Sequence, residues 1–550
     1  MTTAGAVRAN GHAKWARTVA LLIAMCSVGL VVHTYATFDQ MWDEGPHIGP
    51  GMEWLVKHTY KMDRMNSPLP RGFIALGPYL QGARPHGFRD PGTEGSAILQ
   101  SGNYERLLYS ARLGTLVFFI FGLYLMWSRG RLWLGEWGGS LALGLFATCE
   151  PVMGHAGVAA TDVSVMVMFF WGLDRLWRLA GKPTLRNSLL AGFAVGVALV
   201  CKHTAAPFFV VTIGLLGIAY WVVRARGSLG MVWRHPVLRV KAWGPVVVVA
   251  FLVVWATYFF TVGPLFPAGS PDEGKVTAFL ARHHVPRGPV FAVLNHVPAP
   301  DYLGGIRDAR ANNHNPKPSY FMGRISMMGR RSFYVVALLV KTPIPFLIFA
   351  MAGLGLAVWG MLRRERGYAA LMLIGLAGPL LFVSMNHLNM GLRHGLAVYP
   401  FLAILGAMAG MRMWRRGTVL PVLVITLLVW QCVAAVAASP DYLAYFNEAA
   451  AKHADYFLVD SDLDWGQDAK RLPGVLSVLG ATDVAIAYNG TDDLRRFALP
   501  KWHEMTATDR TGWIVVSERF LKLYPEKYGW LEAYKPVGMV GKSMRVYHLQ

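Results

Sequence analysis

Apolar residues in this chain come in long runs separated by short basic or Pro-rich stretches, the pattern of membrane helices rather than of a soluble core. The runs fall at roughly 18–36, 107–127, 133–149, 156–173, 188–201, 205–223, 243–262, 333–361, 368–385, 394–411 and 418–438. Against about 20 residues for a full crossing, they predict eleven spans, of which the third and fifth are short. Pro343 and Pro345 break the eighth run where backbone would line a cavity.

Three polar pieces remain, at 37–105, 263–331 and 440–550. In the first, Pro46 suits an opening helical turn and Ile48, Met52 and Leu55 share one face. This predicts a short amphipathic helix lying on the membrane, with Asp43 and Glu44 at its positive end. Asp43 or Glu44 serves either as a helix cap or as a general base toward a hydroxyl brought to a lipid-borne substrate. After Asp63, Pro68 and Pro70 predict a turn. The second piece is rich in Pro, Asn and His, with a helical pattern near 273–282. Its His283, His284, His296 and His314 lack the spacing of a metal helix. The third piece has β-like runs at 456–459, 484–488, 513–516 and 544–548 between helical stretches, which predicts a small α/β domain. The expected organisation is therefore a transmembrane domain over 1–439, with external loops 37–105 and 263–331, and an α/β domain over 440–550. No internal repeat is visible.

Composition agrees with this pattern. Of 550 residues, 54% are hydrophobic and 15% charged, too apolar for an ordinary soluble protein. The formal charge of +21 would suit nucleic acid only if the basic residues gathered on one surface; here they alternate with apolar runs, and no nucleic-acid partner is expected. With the N-terminus inside, the inside segments hold Arg8, Lys14, Arg17; Arg129, Arg131; Arg175, Arg178, Lys182, Arg186; Arg224, Arg226, Arg234, Arg239, Lys241; Arg363, Arg364, Arg366; and Arg412, Arg415, Arg416. The short outside turns hold only Lys202 and Arg393. That bias predicts a cytoplasmic N-terminus and extracytoplasmic loops and C-terminal domain. The first run is long for a signal peptide and reads as an uncleaved span, with Thr34-Tyr35-Ala36 a weak cleavage pattern. Cys26, Cys149, Cys201 and Cys432 all lie in or beside apolar runs, where they behave as small hydrophobes.

Candidate chemistry comes from charges where lipid should be: Asp162 in the fourth span, Lys202 at the end of the fifth, Lys341 in the eighth and Arg393 at the entrance to the tenth. Such groups are costly and face a cavity or each other, whereas those near span ends also snorkel. The acids of 460–468 suit turns, caps or a cation, without the spacing of an EF-hand loop. Carboxylates on the external face with cations at the membrane ends are what binding a phosphate and deprotonating a nucleophile beside it would need.

These motifs resemble the protein O-mannosyltransferase family and its uncharacterised bacterial relatives in the GT-C superfamily. Asp43-Glu44 with His47 resembles the family's acidic motif in the first external loop. Asp63 followed by Pro68-Leu69 resembles its Asp-x-His-Pro-Pro-Leu element, with Asn66-Ser67 standing where the family has His-Pro. Further resemblances are Arg112, Pro151, Thr161-Asp162, Lys202-His203, Ser319-Tyr320 with Gly323, Lys341-Thr342-Pro343, and Arg393 to Pro400, where Arg-His replaces the commoner Arg-Tyr. Tyr445-Phe446-Asn447 and Asp464-Trp465-Gly466-Gln467-Asp468 are similar to a pattern in the bacterial relatives.

The resemblance implies an all-α polytopic GT-C-like fold in a bacterial inner membrane and an inverting transfer from a polyprenyl-phosphate sugar donor to a protein, lipid or polysaccharide acceptor. It implies Asp43 as base, with Glu44 the second catalytic acid or, like Asp63 and His47, an acceptor-positioning group. It implies Lys202, Lys341 or Arg393 on the leaving phosphate, with Asp162 and Arg112 as further candidates. The scheme requires no cofactor or metal and is compatible with a divalent cation bridging phosphate and carboxylate. Two other classes stay open: a transporter of a lipid-linked or anionic substrate, and a noncatalytic scaffold with an external binding domain.

Overall fold

The computed structural model describes residues 3–225, 236–362 and 367–550. Arg226, Arg234, Arg363, Arg364 and Arg366, expected in inside loops, lie outside the described residues. The protein is a polytopic helical membrane protein with a small C-terminal sheet domain. By length and composition, six helices among the described residues suffice to cross a membrane: His12–Thr37, Tyr104–Leu134, Ile344–Met361, Gly367–Met385, Leu392–Trp414 and Val419–Ala437. Leu185–Leu199, Ala205–Ala219 and Lys241–Thr257 are shorter apolar helices. The third and fourth expected spans are the helices Glu136–Ala147 and Asp162–Gly181. The eighth is broken as expected, into Phe333–Lys341 and Ile344–Leu362 on either side of Thr342-Pro343. The helices enclose an aromatic interior of Phe119, Phe146, Phe169, Phe170, Phe208 and Phe401.

The first polar piece, 37–105, folds as three helices, Glu44–Lys57, Pro68–Leu80 and Pro91–Gln100. Two expectations are corrected here. The helix Glu44–Lys57 does not lay its apolar face on a membrane: Ile48 and Met52 are fully buried against Ile74, Ala75, Ile98, Leu99, Leu107 and Leu108. Burial against neighbouring helices removes the same apolar area from water as lipid would. Pro68 and Pro70 open a helix rather than marking only a turn, because proline's missing N–H costs nothing in the first helical turn. The helices approach closely enough that a Cβ on Gly51 would lie 2.2 Å from the Arg71 carbonyl oxygen, and one on Gly95 would lie 2.0 Å from that of Gly45.

The second polar piece, 263–331, contains the helices Pro271–Arg282, Arg287–Leu294 and Pro300–His314, followed by the hairpin Ser319–Phe321 with Arg324–Ser326. The C-terminal sheet has the order Lys501–Glu504, Asp483–Ala487, Gly512–Ser517, Met544–Leu549, Gly538–Val540. Its first two pairings are parallel and its last two antiparallel. Three of the expected strands are present. The run at 456–459 is instead the end of a short helix, Ala454–Phe457, and the strands Lys501–Glu504 and Gly538–Val540 carry no clear alternation in sequence.

Candidate active site

Asp43 stands immediately before the helix Glu44–Lys57, and its side chain makes no capping bond. Arg393 Nη1 donates a hydrogen bond to Asp43 Oδ2 instead. Arg393 belongs to the 3-10 turn Leu392–Val398 that enters the tenth span, so first-loop acid and tenth-span cation meet at the membrane end. The Asp43 side chain keeps 24% exposure and that of Arg393 only 8%, so the carboxylate of the pair stays partly open to solvent while the guanidinium is buried. Burial alone would raise the Asp43 pKa, but the Arg393 guanidinium and then His47 hold it below the ordinary carboxylate value.

Behind this pair lies a second one, in which Lys202 Nζ donates to Asp162 Oδ1 at 2.5 Å. The Asp43 carboxylate feels the Asp162 charge, so two acids and two cations form one electrostatic cluster. His155 and His394 also lie within the field of Asp162 and Arg393.

Asp63 and His47 are joined through a residue that sequence reasoning missed. Arg71, fully buried, donates from Nη2 to Asp63 Oδ2 at 2.5 Å, from Nε to His47 Nδ1 at 3.0 Å and from Nη1 to the Tyr60 hydroxyl at 2.8 Å. Burial and then the Arg71 charge push the His47 pKa down to about 3. The ring is therefore neutral at ordinary pH, and because Nδ1 accepts from Arg71, its hydrogen sits on Nε2. Asp63 is pulled below the usual carboxylate range by Arg71 against the effect of burial, and it also accepts from the Met65 amide and the Asn66 side chain. The only sequence cue to Arg71 is an arginine in the first turn of a proline-started helix.

The other candidates are placed differently. Glu44, adjacent to Asp43, is fully buried: Arg112 Nε and Nη2 donate to its two oxygens at 2.7 and 2.8 Å, and the Ala159 and Met41 amides donate to it at 2.9 Å. Arg112 also donates to the carbonyls of Tyr35, Phe38 and Asp39. The Glu44 and Arg112 pair thus ties the end of the first span to the loop that follows it instead of facing the half-buried Asp43 and the buried Arg393. Lys341 is also buried, with Nζ donating to the carbonyls of Leu443 at 2.7 Å and of Asp462, and lying 4.4 Å from the centre of the Phe446 ring. Its nearby anion is Asp462.

The acid-rich loop at 460–468 reaches from the C-terminal piece into this site. The Trp465 carbonyl accepts from the Trp42 amide at 3.0 Å, the Asp462 Oδ1 accepts from the Leu392 amide at 3.0 Å, and Ser461 Oγ donates to the Met390 carbonyl at 2.6 Å. Both chain segments that present Asp43 and Arg393 are therefore hydrogen-bonded to one loop, and the Arg393 guanidinium lies 4.6 Å from the centre of the Trp465 ring. Asp464 accepts from the Gly466 and Arg519 amides and Asp468 from the Lys542 amide and the Ser543 hydroxyl. These acids build the loop. Among the described residues no group of three His, Cys, Asp or Glu side chains is arranged to hold a metal ion.

No family model and no curated protein matches the chain. Its fold is similar to that of ArnT from Cupriavidus metallidurans bound to undecaprenyl phosphate, at 12% identity and a TM-score of 0.49, covering 96% of this chain and 97% of that one. It is also similar to the oligosaccharyltransferase of Archaeoglobus fulgidus in the apo form, at 12% identity and a TM-score of 0.45, covering 94% of this chain and 71% of that one.

Proposed function

We propose that the chain is a membrane glycosyltransferase that moves a sugar from a polyprenyl-phosphate donor to an acceptor arriving from the extracytoplasmic side. The observation that carries this reading is the partly exposed pair of Asp43 and Arg393 backed by Asp162 and Lys202. It supplies a carboxylate for the acceptor hydroxyl and a fixed cation for the negative charge that develops on the departing phosphate. Asp43 is the base, its low pKa keeping it ionised until the attacking hydroxyl acidifies late in an inverting displacement. Asp63 and neutral His47, locked together by Arg71, position the acceptor. Arg393 and Lys202 serve the donor phosphate, whereas Lys341, Glu44 and Arg112 hold the site together. In this reading 1–439 is the transmembrane catalytic domain and 440–550 an extracytoplasmic domain whose loop at 460–468 completes the site. The membrane is the bacterial inner membrane, and the acceptor is a protein, lipid or polysaccharide.

The test is a membrane preparation of the full chain supplied with radiolabelled polyprenyl-phosphate sugar. Transfer of label to an acceptor supports the reading. Label accumulating inside sealed vesicles makes the chain a transporter, and neither outcome makes it a scaffold. Mass spectrometry of envelope glycans in a deletion strain then names the sugar and the acceptor together.

A further inference from the structure

The hairpin Ser319–Phe321 with Arg324–Ser326 and the turn that follows it are built asymmetrically. Ser319, Tyr320 and Phe321 are buried, and Tyr320 and Phe321 join the main core. The returning strand is open: Ile325, Met327 and Met328 are 42%, 48% and 52% exposed. Arg324, Arg330 and Arg331 are exposed beside them, and among the described residues none of their side chains has a carboxylate at ion-pair distance.

The height of this segment relative to the membrane is set by its neighbours. The Met328 carbonyl accepts from His387 Nδ1 at 3.2 Å and the Arg330 amide donates to Asn389 Oδ1, just past the end of the candidate span Gly367–Met385. At Gly329 any Cβ would collide with the His387 carbonyl oxygen at 2.4 Å and with Asn389 Oδ1 at 2.5 Å, so close docking on that segment requires glycine. Four residues beyond Gly329, Phe333 opens the helix leading into the broken eighth span, with Val335 and Leu339 exposed on its surface. The methionines therefore lie at the outer boundary of the apolar belt, with the arginines around them.

We propose that residues 324–331 form a docking surface for the anionic phospholipid head groups of the bilayer, the methionines and Ile325 entering the acyl boundary while Arg324, Arg330 and Arg331 bind phosphates. The occupant follows from charge and position. Three arginines without carboxylate partners call for anions, flexible apolar side chains at a span end call for acyl chains, and one surface offering both is what an acidic bilayer complements. In the proposed orientation the insertion bias places basic residues on the other side, so it does not account for this cluster. The same surface is seated on 387–389, the segment that continues into Leu392 and Arg393, so lipid binding here bears on the loop that presents Arg393.

The experiment uses the full chain with Cys26 and Cys432 replaced by serine, a nitroxide at Met327→Cys or, as control, at exposed Lys275→Cys, and nanodiscs of phosphatidylcholine with or without phosphatidylglycerol. The expected result is oxygen-accessible, nickel-shielded label at 327 but not at 275, lying deeper with phosphatidylglycerol. Retention of phosphatidylglycerol on the purified protein should fall about fivefold for each arginine removed in Arg330→Gln and Arg331→Gln. Label at 327 as nickel-accessible as at 275 overturns the proposal and leaves the open strand edge to an extended polypeptide. Buried label with unchanged phosphatidylglycerol retention in the arginine variants also overturns it, since the surface would then be merely apolar.

Discussion

Asp43 and Arg393 are 350 residues apart in the chain, and Arg393 donates a hydrogen bond directly to the Asp43 carboxylate. Under the proposed reaction the carboxylate and the donor phosphate compete for one guanidinium, so arrival of the donor releases the base that the reaction then uses.

Asp43→Asn keeps the shape and removes the basicity. Turnover should fall by about 10² to 10⁴, while donor binding, measured separately with polyprenyl phosphate, holds or tightens because Arg393 loses a competing anion. Normal turnover in this variant alongside failure of Asp63→Asn would move the base to Asp63.

Arg393→Met and Lys341→Met should separate. Loss of a charge-assisted hydrogen bond to phosphate weakens donor binding by about 1.5 to 3 kcal/mol in the first. Lys341 holds carbonyls of Leu443 and Asp462, so its replacement should loosen the loop at 460–468, read as faster proteolysis there, with a smaller effect on donor affinity. Equal losses of donor affinity would return Lys341 to the phosphate.

Glu44→Gln leaves Arg112 buried beside a neutral partner. Breaking a fully buried ion pair costs about 3 to 5 kcal/mol, so the variant should give a sharply lower thermal midpoint in detergent. Glu44→Gln combined with Arg112→Met should recover part of the loss, the mark of a coupled pair. A Glu44→Gln protein with normal stability and no turnover would instead make Glu44 catalytic.

Burial pushes the Asp464 pKa from its ordinary 3.8 up to about 7. Because the folded-state value is the higher one, the folded protein holds the extra proton. The stabilisation is fully present below the unfolded value and is lost as pH rises through about 7. Thermal midpoints measured from pH 5 to pH 8 should therefore fall, and Asp464→Asn should flatten that slope. An unchanged slope would assign it to other groups.

Single cysteines at Lys182→Cys and Gln550→Cys, both exposed positions, should react with an impermeant thiol reagent from opposite sides of the membrane. Reaction from one side would refute the odd number of spans between them that the loop charges predict.

The chain's apolar runs, the break at Thr342-Pro343 and the change of style in the C-terminal piece were legible in the sequence because each depends on local properties: hydropathy over a few turns, the missing proline N–H, and alternation along a strand. Charges placed at a cost near lipid likewise singled out Asp162, Lys202, Lys341 and Arg393. Which of these meet was decided only by the tertiary structure. Asp43 and Glu44 are neighbours with like charge, yet successive helical residues point about 100° apart, so one faces Arg393 and partial solvent while the other is sealed against Arg112. Lys341 is held by carbonyls contributed 102 and 121 residues later, and Arg71 joins Asp63 to His47 across two packed helices. Trp465 comes under Arg393 because the Trp42 amide bonds the Trp465 carbonyl and the Leu392 amide bonds the Asp462 carboxylate, drawing the C-terminal loop into the site. Such partnerships depend on packing between distant segments, and local sequence pattern does not encode them.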